Sequence, residues 1–182
     1  MSNVTTIGVE EARRKPNAFH LSKSVIVHRP TAMVFEFIVK KLQTHYSQLA
    51  RGHKKFEVLG MAEITEGAII DCQEMEGNQE IHHRYQVGQV VTNKLIHFFA
   101  CPSRVFVHTP GRIIERQSNT YVYFDLEPIG PDETRLAQTI IIQMPSFFNK
   151  LLGVITGTSK LWSAHLTEEL QGLKLAVENL GQ

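Results

Sequence analysis

Two adjacent histidines, His82 and His83, are the residues of this sequence best suited by type to do chemistry. They lie in the segment EIHHRYQVGQVV (80–91), where apolar and polar residues alternate as in a β-strand. Because neighbouring strand residues point to opposite faces of a sheet, the two imidazoles cannot bind one metal ion together. If Ile81 and Tyr85 face the interior, His83 faces it too, whereas His82 faces solvent.

An inward-facing His83 beside Tyr85 could orient a polar group in an otherwise apolar pocket. It could also transfer a proton as a general acid or base. The plain structural alternative is a semi-buried histidine whose ring nitrogens are satisfied by hydrogen bonds. The sequence leaves these interpretations open, so no catalytic residue is assigned.

His97 and His108 lie on neighbouring predicted elements and could join His83 in a three-histidine site, although no spacing along the chain demands it. The sequence has no HExxH motif and no Cys/His spacing typical of zinc. It also lacks a GxSxG motif, a P-loop and a dinucleotide-binding glycine motif. We therefore expect neither a metal site nor a cofactor.

Two aspartates lie within strand patterns, and an inward carboxylate could serve as an acid or a base. Asp125 shares a face with Tyr121 and Tyr123, opposite an apolar face, which predicts that its side chain points outward. The side of the sheet on which Asp71 lies is left open.

The most apolar stretch of the chain is TIIIQMPSFFNKLLGVITG, residues 139–157. Polar residues and Pro145 interrupt it, and a membrane span needs roughly 20 mostly apolar residues. We therefore expect the stretch to be buried inside the protein or against a ligand. The following residues, together with His83 and Tyr85, are candidates for ligand contacts, with simple core packing as the alternative: Phe147, Phe148, Leu151, Ile155 and Trp162.

The composition describes a globular chain without a strong charge bias. Its 182 residues suggest one domain, 42% are hydrophobic, 20% are charged, and the net charge is +1. This balance lacks the basic field of a nucleic-acid binder. The two cysteines form no CxxC pair, and the N-terminus has no apolar signal segment, so we expect a cytoplasmic protein without an integral membrane segment.

The residue periodicity changes along the chain from strand to helix, then to many strands, and finally back to helix. SVIVHRP (24–30) is a β-branched run ended by proline, and residues 31–50 have apolar residues at helical spacing. Alternation and turn signals between residues 55 and 144 predict six to eight antiparallel strands. Residues from 146 onward predict a helix of about 30 residues, long enough to cover one face of such a sheet. The fold class is therefore α+β.

Three stretches resemble the START-like, or SRPBCC, superfamily of birch-pollen allergen proteins, lipid-transfer domains and polyketide cyclases. SVIVHRPTAMVFEFI is similar to its opening strand and Pro-led helix, and TYVYFDLEPIGPDETRLAQT to its late hairpin. LWSAHLTEELQGLKLAVE is similar to its closing helix. The resemblance covers residues 22–180, with one departure, a connection at 104–118 that looks longer than usual.

The resemblance implies a helix-grip fold: a curved antiparallel sheet of six to eight strands wrapped around a long C-terminal helix, with a short helical unit after the first strand. It also implies a cavity between sheet and helix. We expect an N-terminal arm (1–22) and a START-like ligand-binding domain (23–182).

Three functions are consistent with that fold. The first is binding or carriage of an apolar or amphipathic small molecule, such as a lipid, an isoprenoid or quinone, or a polyketide-like compound. The second is a cyclase or dehydratase that uses a cavity histidine or carboxylate as general acid or base. The third is a non-catalytic interaction module with a filled core. The sequence leaves the oligomeric state open.

Overall fold

The structure, a computed structural model, describes residues 15–147, 149–151 and 157–180. Its strands form one seven-stranded antiparallel sheet in the order β1-β7-β6-β5-β4-β3-β2. The first strand pairs with the last, so β1 and β2 form the two edges. In chain order the elements are β1 (Ala18–Val27), α1 (Thr31–Glu36), a π-helical turn (Phe37–Lys41), α2 (Leu42–Leu49), β2 (His53–Leu59), β3 (Ile69–Glu76), β4 (Gln79–Val91), β5 (Leu95–Thr109), β6 (Arg112–Gly130), β7 (Glu133–Gln143) and α3 (Thr158–Glu178).

The core lies between one face of this sheet and the helices. Helix α3 presents a stripe of completely buried side chains at helical spacing: Leu166, Leu170, Leu173 and Val177. The first helical unit buries residues such as Phe37 in the same core. Inward strand residues complete the core because strand side chains alternate between the two faces. The predicted α+β helix-grip architecture, with a short helical unit after the first strand, is confirmed.

The first strand begins earlier than the sequence analysis placed it. Residues 18–22, assigned there to the arm, belong to β1 and pair with β7 from Ala18 opposite Gln143 onward. The polar residues His20 and Ser22 concealed the strand, but they lie on its exposed side. An edge strand with one solvated face accommodates such residues. Residues 1–14 lie outside the described residues, and the division into arm and domain stays a prediction.

The segment 104–118 is a hairpin and not a long connection. Arg104–Thr109 of β5 pairs with Arg112–Gln117 of β6. The turn between them contains Gly111, whose φ of 81° is readily adopted by glycine. Pro102 lies at a register shift of β5 between Ala100 and Ser103, where the alternation of inward and outward residues is interrupted.

The C-terminal helix is described from Thr158 to Glu178, with a separate helical turn at residues 147 and 149–151. Residues 152–156, part of the predicted helix of about 30 residues, lie outside the described residues. Within the described ranges, none of the helices combines the length and apolar character needed to cross a membrane.

Gly172 lets α3 pack against the end of α2. A Cβ atom at this position would lie 2.1 Å from the carbonyl oxygen of Leu49. We predict that Gly172→Ala lowers the free energy of unfolding by about 1–3 kcal/mol or more, although alanine is the better helix former by about 1 kcal/mol. Urea denaturation measures the change. The control is Gln171→Ala on the exposed side of the helix, and equal stability of the two variants would contradict the close contact.

Candidate functional site

A cavity of about 520 Å³ lies between the sheet and α3. This volume falls within the range of roughly 300–1,000 Å³ typical of small-molecule sites. Its walls are mainly apolar, because the inward positions of the strands carry aromatic and aliphatic residues. Examples from four elements are Phe56, Phe98, Phe124 and Ile140.

Three of the candidate residues from the sequence line this cavity. His83, Tyr85 and Trp162 are all buried, and the rings of His83 and Tyr85 stack at a centroid distance of 4.6 Å. That these residues contact a ligand stays a prediction.

The other candidates come from the apolar stretch 139–157. Phe147 and Leu151 are 61% and 45% exposed and do not line the cavity. They lie on the helical turn after Pro145, and among the described residues of that turn Asn149 lines the cavity. Phe148 and Ile155 lie outside the described residues.

A chain of hydrogen bonds orients His83. Ser103 Oγ donates to Thr120 Oγ1 at 3.0 Å, and His83 Nδ1 lies 2.8 Å from Ser103 Oγ. Because the serine proton is used on Thr120, the histidine donates from Nδ1, and Nε2 remains as an acceptor. Burial lowers the pKa of His83 to about 4, against an opposing effect of Glu74, so its ring is neutral at pH 7.

A second polar group surrounds the buried carboxylate of Glu74, which also lines the cavity. Tyr46 donates its hydroxyl hydrogen to Glu74, and the thiol of Cys72 lies 3.5 Å from the same carboxylate oxygen. Burial alone would raise the pKa of Glu74, but nearby histidines, including His83 and His165, and the Tyr46 hydroxyl lower it to about 2. Glu74 is therefore ionised inside the protein.

His165 of α3 faces this carboxylate. Its Nε2 lies 3.8 Å from Glu74 Oε2, and its Nδ1 lies 2.9 Å from Glu76 Oε2. Burial lowers the pKa of His165, but the carboxylates of Glu74, Glu169 and Glu76 outweigh burial and raise it. Glu169 lies on the same wall of the cavity, where Gln138 donates to it at 2.9 Å.

The sequence analysis missed Glu74 and Glu169. The alternation of residues along β3 could have identified Glu74 as inward-facing, because Glu74 shares a strand face with the buried Cys72. Asp71 lies on the opposite face, where its carboxylate is 2.6 Å from Lys55 Nζ. Glu169 is only 6% exposed. It is buried because it lines the cavity, where the wall formed by α3 carries polar side chains.

The three-histidine site considered from the sequence does not form. His97 points away from the cavity, because its neighbours Ile96 and Phe98 face the core, and it stacks on Tyr123 at 4.3 Å. His108 is half-buried, does not line the cavity and lies 3.1 Å from Glu80.

The buried neutral state of His83 predicts how stability depends on pH. The unfolded chain binds a proton on this residue below about pH 6.5, whereas the native protein does so only below about pH 4. The free energy of unfolding therefore falls as the pH is lowered through this window, by about 2 kcal/mol between about pH 7.5 and pH 5 from this group.

The variant His83→Asn retains a donor toward Ser103 and should lose this part of the pH dependence in urea denaturation. The matched control is His28→Asn at an exposed position, with a 60% exposed side chain. An unchanged slope in His83→Asn would show that His83 is not the titrating group.

No protein-family model matches the sequence, and a search of curated proteins found no match. Solved structures do match. Norcoclaurine synthase from Thalictrum flavum, solved with dopamine and hydroxybenzaldehyde, has a TM-score of 0.58 at 15% identity, covering 98% of this chain and 97% of its own. An aromatase/cyclase from a Streptomyces species has a TM-score of 0.55 at 13% identity, covering 91% and 96%.

A major latex-like protein from Panax ginseng has a TM-score of 0.55 at 7% identity, covering 82% of this chain and 98% of its own. These identities show a common fold and not a common activity. The chain thus shares the helix-grip fold of these proteins, a curved antiparallel sheet around a C-terminal helix, which is the fold that the resemblance of its opening strand, late hairpin and closing helix implied.

Proposed function

We propose that this chain binds an apolar or amphipathic small molecule in the cavity between its sheet and α3. The observation that carries the proposal is the cavity itself, about 520 Å³ of space with mainly aromatic and aliphatic walls. Suitable ligands are a lipid, an isoprenoid or quinone, or a polyketide-like aromatic compound. A cavity of this size counts against an interaction module with a filled core.

The distribution of polar groups suggests how a ligand is oriented. Exposed lining residues, including Asn78, Arg116 and Gln117, mark one end of the cavity, where β3–β4 and β5–β6 form hairpins. The buried polar residues Glu74 and His83 lie elsewhere on the wall. Apolar contact would supply affinity at roughly 25 cal/mol per Å² of buried surface, and the polar residues would determine orientation.

The structural neighbours support an aromatic ligand as one choice. Norcoclaurine synthase was solved with dopamine and hydroxybenzaldehyde, two small aromatic compounds. The aromatic residues Phe56, Phe98, Phe124 and Trp162 of this cavity would contact such rings through offset or edge-to-face packing.

Native mass spectrometry of freshly purified protein, followed by organic extraction, tests the proposal directly. A stoichiometric apolar molecule that dissociates on denaturation is the expected result. Failure to detect such a molecule, combined with failure of the probe titrations described next, would contradict the proposal.

Filling the cavity should abolish binding without unfolding the protein. Val122 is buried and lines the cavity, so we predict that Val122→Phe weakens the binding of anilinonaphthalene sulfonate, dopamine or hydroxybenzaldehyde at least tenfold. Trp162, the single tryptophan, reports binding through its fluorescence. The control Ile26→Phe adds the same ring at a position that is 42% exposed and should bind like the wild type. Equal loss in both variants would contradict a cavity site.

A second candidate function is acid–base catalysis on the bound molecule. The observation that favours it is that Glu74, His83, His165 and Glu169 all line the same cavity. His83 would act as the base through Nε2, since Nδ1 is engaged with Ser103. A carrier has no need for several ionisable groups on its wall.

His83→Asn separates the two candidate functions once extraction has identified a ligand. If the chain is an enzyme, the variant binds the compound within a few-fold of wild type and its turnover falls by 10²–10⁴-fold, the usual contribution of a general base. If wild type does not convert the compound, carriage is favoured. The Tyr85→Phe variant retains the stacked ring and serves as the control for packing beside His83.

A further inference from the structure

We propose that His53, Glu74 and His165 form a binding site for a divalent transition-metal ion of the zinc type. One ligand nitrogen of each histidine and one carboxylate oxygen of Glu74 lie within 4.8 Å of one another. Two imidazoles and one carboxylate form a recurrent donor set of catalytic zinc, with bonds of about 2.0–2.2 Å. The three side chains would have to rotate toward one another to form bonds of that length. Binding of the ion does not require the cavity ligand proposed above.

The fold brings these three residues together from separate elements. His53 begins β2 and pairs directly with Glu74 of β3, and His165 approaches from α3. Their exposed fractions are 3%, 7% and 2%. Positions on two paired strands and a helix packed against them are rigid, as a preorganised metal site requires.

The hydrogen bond of His53 leaves one ring nitrogen available as a ligand. His53 Nδ1 lies 2.8 Å from the carbonyl oxygen of Tyr46, which can only accept, so Nδ1 carries the proton. The neutral ring therefore has its lone pair on Nε2. In the part of the chain that the structure describes, this buried Nε2 has no hydrogen-bond partner. An unpartnered buried acceptor is costly unless something else, such as a cation, satisfies it.

His165 is arranged in the same way. Glu76 Oε2 lies 2.9 Å from His165 Nδ1. The ring N–H does not point at this oxygen, so the contact is a charge attraction and not a hydrogen bond. The nearby carboxylate favours a proton on Nδ1. When the ring carries its proton on Nδ1 alone, Nε2 has a lone pair and lies 3.8 Å from Glu74 Oε2, so a metal ion would take the place of the second proton that the surrounding carboxylates favour. Two lone pairs and a carboxylate that face one another are three acceptors, and a metal ion between them satisfies all three.

The surrounding residues provide the outer support that metal ligands usually have. A backbone carbonyl holds His53, Glu76 holds His165, and the Tyr46 hydroxyl holds Glu74. The ring of His53 also stacks on Tyr46 at 3.8 Å. Gly52 leaves room for His165, because a Cβ atom there would lie 3.2 Å from its Cε1.

The remaining coordination positions would face the cavity, since Glu74 and His165 line it. Three protein ligands leave at least one position open for water or for an oxygen atom of a bound molecule. The site therefore combines a fixed cation with an apolar pocket, which suits a ligand that carries a carbonyl, phenol or enol oxygen.

The test is a titration of the chelator-treated full-length chain with Co²⁺ and with Zn²⁺. The visible absorption of Co²⁺ reports coordination by few ligands, and elemental analysis reports stoichiometry. We expect one ion per chain and a melting temperature that rises with Zn²⁺ concentration. Wild-type protein that binds neither ion overturns the proposal and leaves the Glu74–His165 ion pair as the role of these residues.

Three conservative variants locate the ion. His53→Asn and His165→Asn each retain a donor at the Nδ1 position and lose Nε2, while Glu74→Gln retains an acceptor for Tyr46 and loses the charge. Each should weaken binding at least tenfold. Circular dichroism and thermal melting without metal identify any variant that fails to fold. Metal binding by the variants that do fold then shows whether the ion lies at this site.

A matched control tests two half-buried histidines that lie outside the cavity, His82 and His108. Glu80 lies 2.8 Å from His82 and 3.1 Å from His108, so this surface group could also attract a metal ion. The control His108→Asn should bind as the wild type does. Loss of binding in His108→Asn, or unchanged binding in all folded variants of the buried cluster, overturns the proposal.

Discussion

The buried aliphatic stripe of α3 is the contact on which the rest of this structure depends. In the C-terminal half of the helix, Leu170, Leu173 and Val177 are fully buried and hold the helix to the sheet and to α2. In the N-terminal half, Trp162 and His165 line the cavity instead of filling it. The helix therefore has two roles along its length. Apolar packing of its C-terminal half fixes its position, and that position places polar and aromatic side chains of its N-terminal half against the cavity.

The polar residues of the cavity act as two separate groups. His83 donates to Ser103, which in turn donates to Thr120 on the next strand. Glu74 instead accepts from Tyr46 of α2 and faces His165 of α3. The first group holds a neutral ring, and the second holds a buried negative charge. Such different protonation behaviour within one small space is characteristic of functional sites, although structural networks also produce it.

The fold could be predicted from the sequence because the spacing of apolar residues determines its strands and helices. Much of the candidate site could not be predicted in this way. Strand alternation placed His83 and Tyr85 inside, and helical spacing marked the α3 stripe. The cluster of His53, Glu74 and His165 has no local signature, because its members come from three elements and meet only when α3 packs on the sheet. The full length of β5 was not evident from the sequence, because a bulge at Pro102 interrupts the alternation on which strand prediction relies.

The buried carboxylate of Glu74 would also make the proposed binding site selective for the charge of its ligand. Glu74 is ionised and lines the cavity, so a fatty acid whose carboxylate pointed toward it would meet repulsion in a medium of low dielectric constant. Arg116, at the exposed end, attracts that same headgroup. In the proposed binding mode, an anionic amphiphile would therefore enter tail first, whereas an amine or a phenol would be able to enter with its polar end leading.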